Sequence, residues 1–200
     1  VGTDGENGGK YTAEQILEII LKLWPKSIDS KPYIVFTGGE PLLQLDKKII
    51  SAVHKIGFEI GIETNGTIAP PDGIDWICVS PKANTKLILK EGNELKLVYP
   101  QKDINPKDHE NLKFDHFYIQ PLDNNYKNSN VIESKKFVKL NPLWKLPLIS
   151  TAISTELVTI VLDIELLISV ASPKNFSDIT LPKLPVFMYP AVYSSAVFTK

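Results

Sequence analysis

The segment Tyr33-Ile34-Val35-Phe36-Thr37-Gly38-Gly39-Glu40-Pro41 joins an apolar run, rich in β-branched and aromatic residues, directly to two glycines, a carboxylate and a proline. Such a run suits a strand buried on both faces, as in a parallel sheet covered by helices. The glycines let backbone approach a bound group closely. The pattern recurs along the chain. Phe58–Glu63 ends in Glu63-Thr64-Asn65-Gly66, and Asp75–Val79 ends in Ser80-Pro81-Lys82. Glu94–Tyr99 ends in Pro100-Gln101, and His116–Ile119 ends in Gln120-Pro121-Leu122-Asp123. Five predicted strands thus carry polar groups at their C-terminal ends, where parallel sheets place their ligand sites.

Helical spacing separates the strands. Thr12 and Gln15 have capping-box spacing, and Ile16, Leu17, Ile19, Ile20, Leu23 and Trp24 form an apolar stripe that Pro25 stops. A second helix is predicted from about Gln44 to Ile56, with Leu45, Ile49, Ile50, Val53 and Ile56 inward and Gly57 just past its end. Strand, helix and strand with short links make a right-handed βαβ unit. Further on, 84–90 and 106–112 read as short or loop-like, and Val131, Lys135, Phe137, Val138 and Leu140 give helical spacing over 131–140. Five or six parallel strands with about four crossovers predict an α/β fold: a partial, open (β/α) barrel, truncated at its first strand. This unit covers 1–149. Beyond it glycine is absent and Pro173, Pro182, Pro185 and Pro190 interrupt every segment, so 150–200 reads as a divergent, irregular tail. Within it, 151–170 fits a helix or two strands.

Composition narrows the function classes. A net charge of -1 and a pI near 6.4 supply no electrostatic footprint for nucleic acid or an anionic membrane. The most apolar window, 153–170, contains Glu156, Asp163 and Glu165, each costing roughly 2.5 to 3.5 kcal/mol at a bilayer centre, so no membrane span is expected. No signal-peptide pattern opens the chain, and a cytoplasmic location is expected. All 22 basic residues are lysines, so an anion site must use lysine or backbone amides. Cys78, the single cysteine, lies in an apolar run and reads as a small core residue. His54 reads as facing solvent, His109 as lying in a charged loop and His116 as starting a strand; no pair has metal-ligand spacing.

The strand-end segments carry the chemistry. Gly38-Gly39-Glu40-Pro41 suits a ligand with an amino group for the glutamate and a thin part to lie on two glycines, with the Thr37 hydroxyl beside it. Glu63 and Thr64 add a carboxylate and a hydroxyl to the same rim. Ser80-Pro81-Lys82 holds a hydroxyl and an ammonium about a rigid proline, and Gln120-Pro121-Leu122-Asp123 an amide and a carboxylate about another. Taken singly, each is also an ordinary turn or loop.

Taken in order with Asp75–Val79 and Glu94–Tyr99, these segments resemble the 7-carboxy-7-deazaguanine synthases, radical S-adenosylmethionine enzymes of queuosine precursor biosynthesis. The resemblance spans about residues 1–146. It implies a reduced partial (β/α) barrel, a homodimer, and conversion of 6-carboxy-5,6,7,8-tetrahydropterin to 7-carboxy-7-deazaguanine with loss of ammonia. It also implies S-adenosylmethionine, a 4Fe-4S cluster, magnesium and a reducing partner such as flavodoxin. Carried over position by position, Gly38, Gly39 and Glu40 meet the methionine moiety and Thr37 the pterin. Ser80, Pro81 and Lys82 surround the ribose, and Gln120, Pro121, Leu122 and Asp123 line the adenosine.

The chain departs from the family at both ends. The cluster cysteines and the magnesium-binding threonine fall ahead of the segment matched by Val1–Gly5, so this sequence offers no catalytic or metal residue, and Cys78 cannot replace three thiolates. From Pro147 onward the family's ending is not continued; a shifted reading frame and an unrelated replacement both account for that. The expectation is a synthase-like protein whose chain as given is inactive, the alternative being a non-catalytic remnant that binds S-adenosylmethionine or a partner. A glycyl-radical activator is disfavoured by the Ser80 and Gln120 segments.

Overall fold

A computed structural model of the chain describes residues 11–24, 31–147 and 160–163. These fall into two compact units. The first contains helix α1 (Ala13–Leu23), strand β1 (Tyr33–Thr37), helix α2 (Lys47–Lys55), most of strand β2 (Glu59–Thr64), the segment Pro70–Asp75, and strand β7 (Ile160–Asp163). The second begins at Glu63 and contains strands β3 (Trp76–Val79), β4 (Glu91–Tyr99) and β5 (Lys113–Pro121), helix α3 (Lys127–Leu140) and strand β6 (Trp144–Lys145).

In the first unit the predicted capping box sets the start of α1. Thr12 Oγ1 accepts from the Gln15 amide at 3.3 Å, and the Gln15 side chain accepts from the Thr12 amide at 2.8 Å. That reciprocity satisfies two of the amides a helix start leaves unpaired. Ile16, Ile19 and Ile20 are buried along one stripe. α2 starts later than its apolar spacing predicts, because Pro41–Leu43 winds as a 3-10 turn and Asp46 caps the helix by accepting from the Ile49 amide at 2.9 Å. Gly57 ends the connection with φ of +87°, as a residue past a helix end should. β1 and β2 pair in parallel with Tyr33 opposite Glu59. β7 pairs with β1 in the same sense, with Ile34 opposite Ile160 and Thr37 opposite Asp163. Ile34, Val35, Phe36, Ile60 and Ile62 are buried between the flanking elements. Each such side chain contributes roughly 1.5 to 3 kcal/mol on leaving water. His54 is exposed, as its helical position predicts, and its ring lies 2.9 Å from Asp75 Oδ2, which also accepts from the Ile60 amide at 2.7 Å.

In the second unit the strands are again parallel. Cys78 stands opposite Glu94, Glu94 opposite His116, and Phe117 opposite Trp144, which places His116 within β5 rather than at its start. Phe117, Phe137 and Trp144 pack edge to face, with ring centroids 5.3 Å apart for Phe117–Trp144 and 6.3 Å apart for Phe137–Trp144. The Trp144 indole donates to Glu110 Oε1 at 3.0 Å. α3 buries its spaced residues only in part, through Val131, Phe137 and Val138. Lys135 is exposed and Leu140 is 79% exposed, while Asn130 and Ser134 are buried. The helix is also fastened by polar groups, for the Asn130 amide donates to the Leu122 carbonyl at 2.8 Å and to Asn124 Oδ1 at 2.9 Å, and the Ser134 hydroxyl donates to the Tyr99 carbonyl at 3.3 Å. Of the predicted tail, only β7 lies among the described residues; the expectations for the rest of 150–200 lie outside them.

Candidate functional site

In the first unit, β1 delivers Thr37 to its end and Gly38 turns the chain with φ of +129°. Only glycine takes that backbone angle without strain. Gly38 and Gly39 are exposed, whereas Glu40 is 9% exposed. Its Oε1 accepts from the Leu42 amide at 3.1 Å and so caps the Pro41–Leu43 turn. One carboxylate oxygen therefore holds the turn's shape, a duty that the sequence did not reveal.

In the second unit, Thr64 and Asn65 close the turn that follows β2. Thr64 Oγ1 accepts from the Gly66 amide at 3.1 Å, and Asn65 Oδ1 accepts from the Thr67 amide at 2.9 Å and its hydroxyl at 2.6 Å. Gly66 has φ of +77°, and a Cβ there would lie 2.6 Å from Leu87 and 2.7 Å from Val79. The Ser80 amide donates to the Thr64 carbonyl at 2.7 Å, tying the ends of β2 and β3 together. Lys82 Nζ donates to Ser80 Oγ at 3.0 Å while Pro81 between them is buried, so hydroxyl and ammonium stand on the same side of a fixed turn. At the end of β5, Gln120 is exposed, and the Leu122 amide donates to the Tyr99 carbonyl at 2.8 Å. Asp123 pairs at 2.9 Å with Lys127, the first residue of α3. Asn130 holds the same loop from below through its bonds to Leu122 and Asn124. The structure thus brings Ser80–Lys82 to the end of β3 and Gln120–Asp123 to the end of β5, strands that flank β4.

Beneath those two ends lies a charged cluster to which the sequence reading gave no role beyond placing Glu63 on the rim. Strand alternation puts Cys78 and Ser80, Glu94 and Lys96, and His116, Tyr118 and Gln120 on one face of the sheet. The opposite face, carrying Tyr99 and Phe117, meets the aromatic cluster around Phe137 and Trp144. Lys96 Nζ lies 2.7 Å from Glu63 Oε1, and the Cys78 thiol lies 3.5 Å from Glu94 Oε1. Burial pushes the Cys78 thiol well above its ordinary value, with Glu94 adding to the shift. Burial likewise raises the Glu94 carboxyl, against the pull of Lys96. For Lys96, burial works against the charge, but the negative groups around it and the hydrogen bond to Glu63 reverse that and raise it above the ordinary lysine range. The signal was present in the sequence: charged residues at alternate positions of an otherwise apolar strand are buried only when partnered.

A fit for an iron-sulfur cluster fails. The sequence has one cysteine, and its thiol is buried and held protonated. Among the described residues no group of three histidine, cysteine, aspartate or glutamate side chains could hold a metal ion. No helix among them is long and apolar enough to cross a membrane.

No family model matches the chain. Individual relatives do. The 7-carboxy-7-deazaguanine synthase of Bradyrhizobium diazoefficiens is 50% identical over 147 residues, covering 73% of this chain and 70% of that protein. Those of Bordetella pertussis and Caulobacter vibrioides are each 46% identical, covering 74% and 73% of this chain and 70% of their own lengths. Among solved structures, the crystal structure of QueE from Escherichia coli matches with a TM-score of 0.52 and 22% identity, covering 68% of this chain and 62% of that one. That likeness is one of fold, a parallel α/β arrangement. With identities of this size across more than two thirds of the relatives' lengths, the chain belongs to the 7-carboxy-7-deazaguanine synthase family.

Proposed function

We propose that the protein serves the synthase reaction of its family, conversion of 6-carboxy-5,6,7,8-tetrahydropterin to 7-carboxy-7-deazaguanine in queuosine precursor biosynthesis, and that this chain supplies the S-adenosylmethionine-binding part of the machinery. The observation that carries the reading is the 50% identity over 147 residues, which spans the strands whose C-terminal ends bear the polar segments. S-adenosylmethionine supplies the radical chemistry of such enzymes when it is bound beside a reduced cluster. The cluster's ligands are not in this sequence, so no step is derived through it.

What the chain's own residues do is bind and orient. Ser80 and Lys82, locked 3.0 Å apart about Pro81, offer a hydroxyl and an ammonium to a ribose. Gln120–Asp123, fastened by Asn130, presents an amide and a carboxylate to the adenosine. In the first unit, Gly38 and Gly39 leave open backbone for the methionine moiety, beside Glu40 for its amino group and Thr37 for the pterin. A homodimer, a flavodoxin-like reductant and a cytoplasmic setting belong to the same reading.

Isothermal titration calorimetry of the chain with S-adenosylmethionine tests it. Saturable binding is expected, weakened roughly tenfold by Lys82→Ala and by Gln120→Ala, since each removes a polar partner. Absence of heat at millimolar ligand would sink the binding assignment.

A further inference from the structure

Lys96 stands on β4 two residues above the more deeply buried Glu94, on the face that leads up to Ser80 and Gln120, and its ion pair is made with another strand. Its ammonium reaches Glu63, at the end of β2, by passing over β3. Cys78 of β3, fully buried on the same face, stands opposite Glu94, two residues below the level of Lys96. The two partners are unequally covered: the Lys96 side chain is 18% exposed and that of Glu63 is 35% exposed. The lysine is therefore committed to the interior, while the carboxylate it holds remains open toward the strand ends.

We propose that Lys96 is a positioning residue for the ligand site: it fixes the Glu63 carboxylate at the rim by an ion pair that spans β3. Glu94, two residues before Lys96 on the same face, is itself engaged with the Cys78 thiol at 3.5 Å. Glu63 and Thr64 are consecutive, and Thr64 both closes the turn at Gly66 and receives the Ser80 amide. Holding Glu63 consequently steadies the backbone on which the Ser80–Lys82 turn rests. The ligand side of this proposal rests on the reading of that turn as part of an S-adenosylmethionine site.

The test combines a spectroscopic signature with a double-mutant cycle. In a protein labelled with 15N-lysine, the Lys96 ammonium should give a slowly exchanging 1H–15Nζ resonance that is lost in Glu63→Gln. In calorimetry with S-adenosylmethionine, Lys96→Met should weaken binding about tenfold and Lys96→Arg, which keeps the charge, by no more than about threefold. Because Lys96 acts through Glu63, Lys96→Met should cost little further in the Glu63→Gln background. Additive losses, an unaltered affinity in Lys96→Met, or an ammonium resonance that survives Glu63→Gln would each overturn the proposal. A wild-type chain that binds no S-adenosylmethionine would overturn the functional reading and the ligand side of this one together; the ammonium resonance would still decide the ion pair.

Discussion

Glu94 sits in β4 with 7% of its surface accessible, between a thiol and an ammonium, and burial raises its carboxyl above the ordinary value of 4.5. A raised folded-state value means that the protonated form suits the fold better than the charged one. The associated stability is fully present below the unfolded value and is lost as pH rises through the folded one. Glu94→Gln is therefore expected to raise the melting temperature by a few degrees at pH 7, with the gain vanishing near pH 4 in a scanning-calorimetry series. Gly66 makes the opposite case. Its φ of +77° and the contacts of 2.6 and 2.7 Å that a Cβ would meet combine backbone strain with overlap. Gly66→Ala should lose roughly 2 to 4 kcal/mol in urea unfolding, strain and overpacking together.

At the level of elements, what the sequence announced and what it concealed divide along a physical line. The capping box of α1, the turn residues closing each strand and the burial of β1 are local, and Thr12, Gly38 and Asn65 declare them within a few positions. α3 is different. Its seat depends on Asn130 and Ser134 meeting backbone carbonyls of Leu122 and Tyr99, groups whose position no helical periodicity encodes. The Lys96–Glu63 pair was hidden for a related reason: it joins positions 33 residues apart across an intervening strand. Asn130→Ala should cost about 1 kcal/mol by removing the two hydrogen bonds that tie α3 to the loop ahead of it. Hydrogen exchange in that variant should quicken at Leu122 and Asn124 while the amides of β4 stay protected.

Across the whole chain, the parallel strands with polar C-terminal ends were legible because the apolar runs and the turn residues alternate so regularly. The place of 160–163 was not, since a run as short as Ile160-Val161-Leu162 fits helix or strand until its partner is known. That partner is β1, whose backbone β7 flanks on the side away from β2. A chain ending at Pro147 would leave that side of β1 uncovered, with Ile34, Val35 and Phe36 along it. Sedimentation velocity on such a chain should show concentration-dependent self-association that the full chain does not show, because a bare apolar edge pairs with other copies of itself. The same pairing also sets a clock. β1 leaves the ribosome about 120 residues before its β7 partner, and at about 5–20 residues per second that is an interval of roughly 6–24 s. During it, the edge beside the Gly38–Gly39 turn has β2 for company on one side only, which makes the nascent chain, more than the finished one, the form that a chaperone would need to meet.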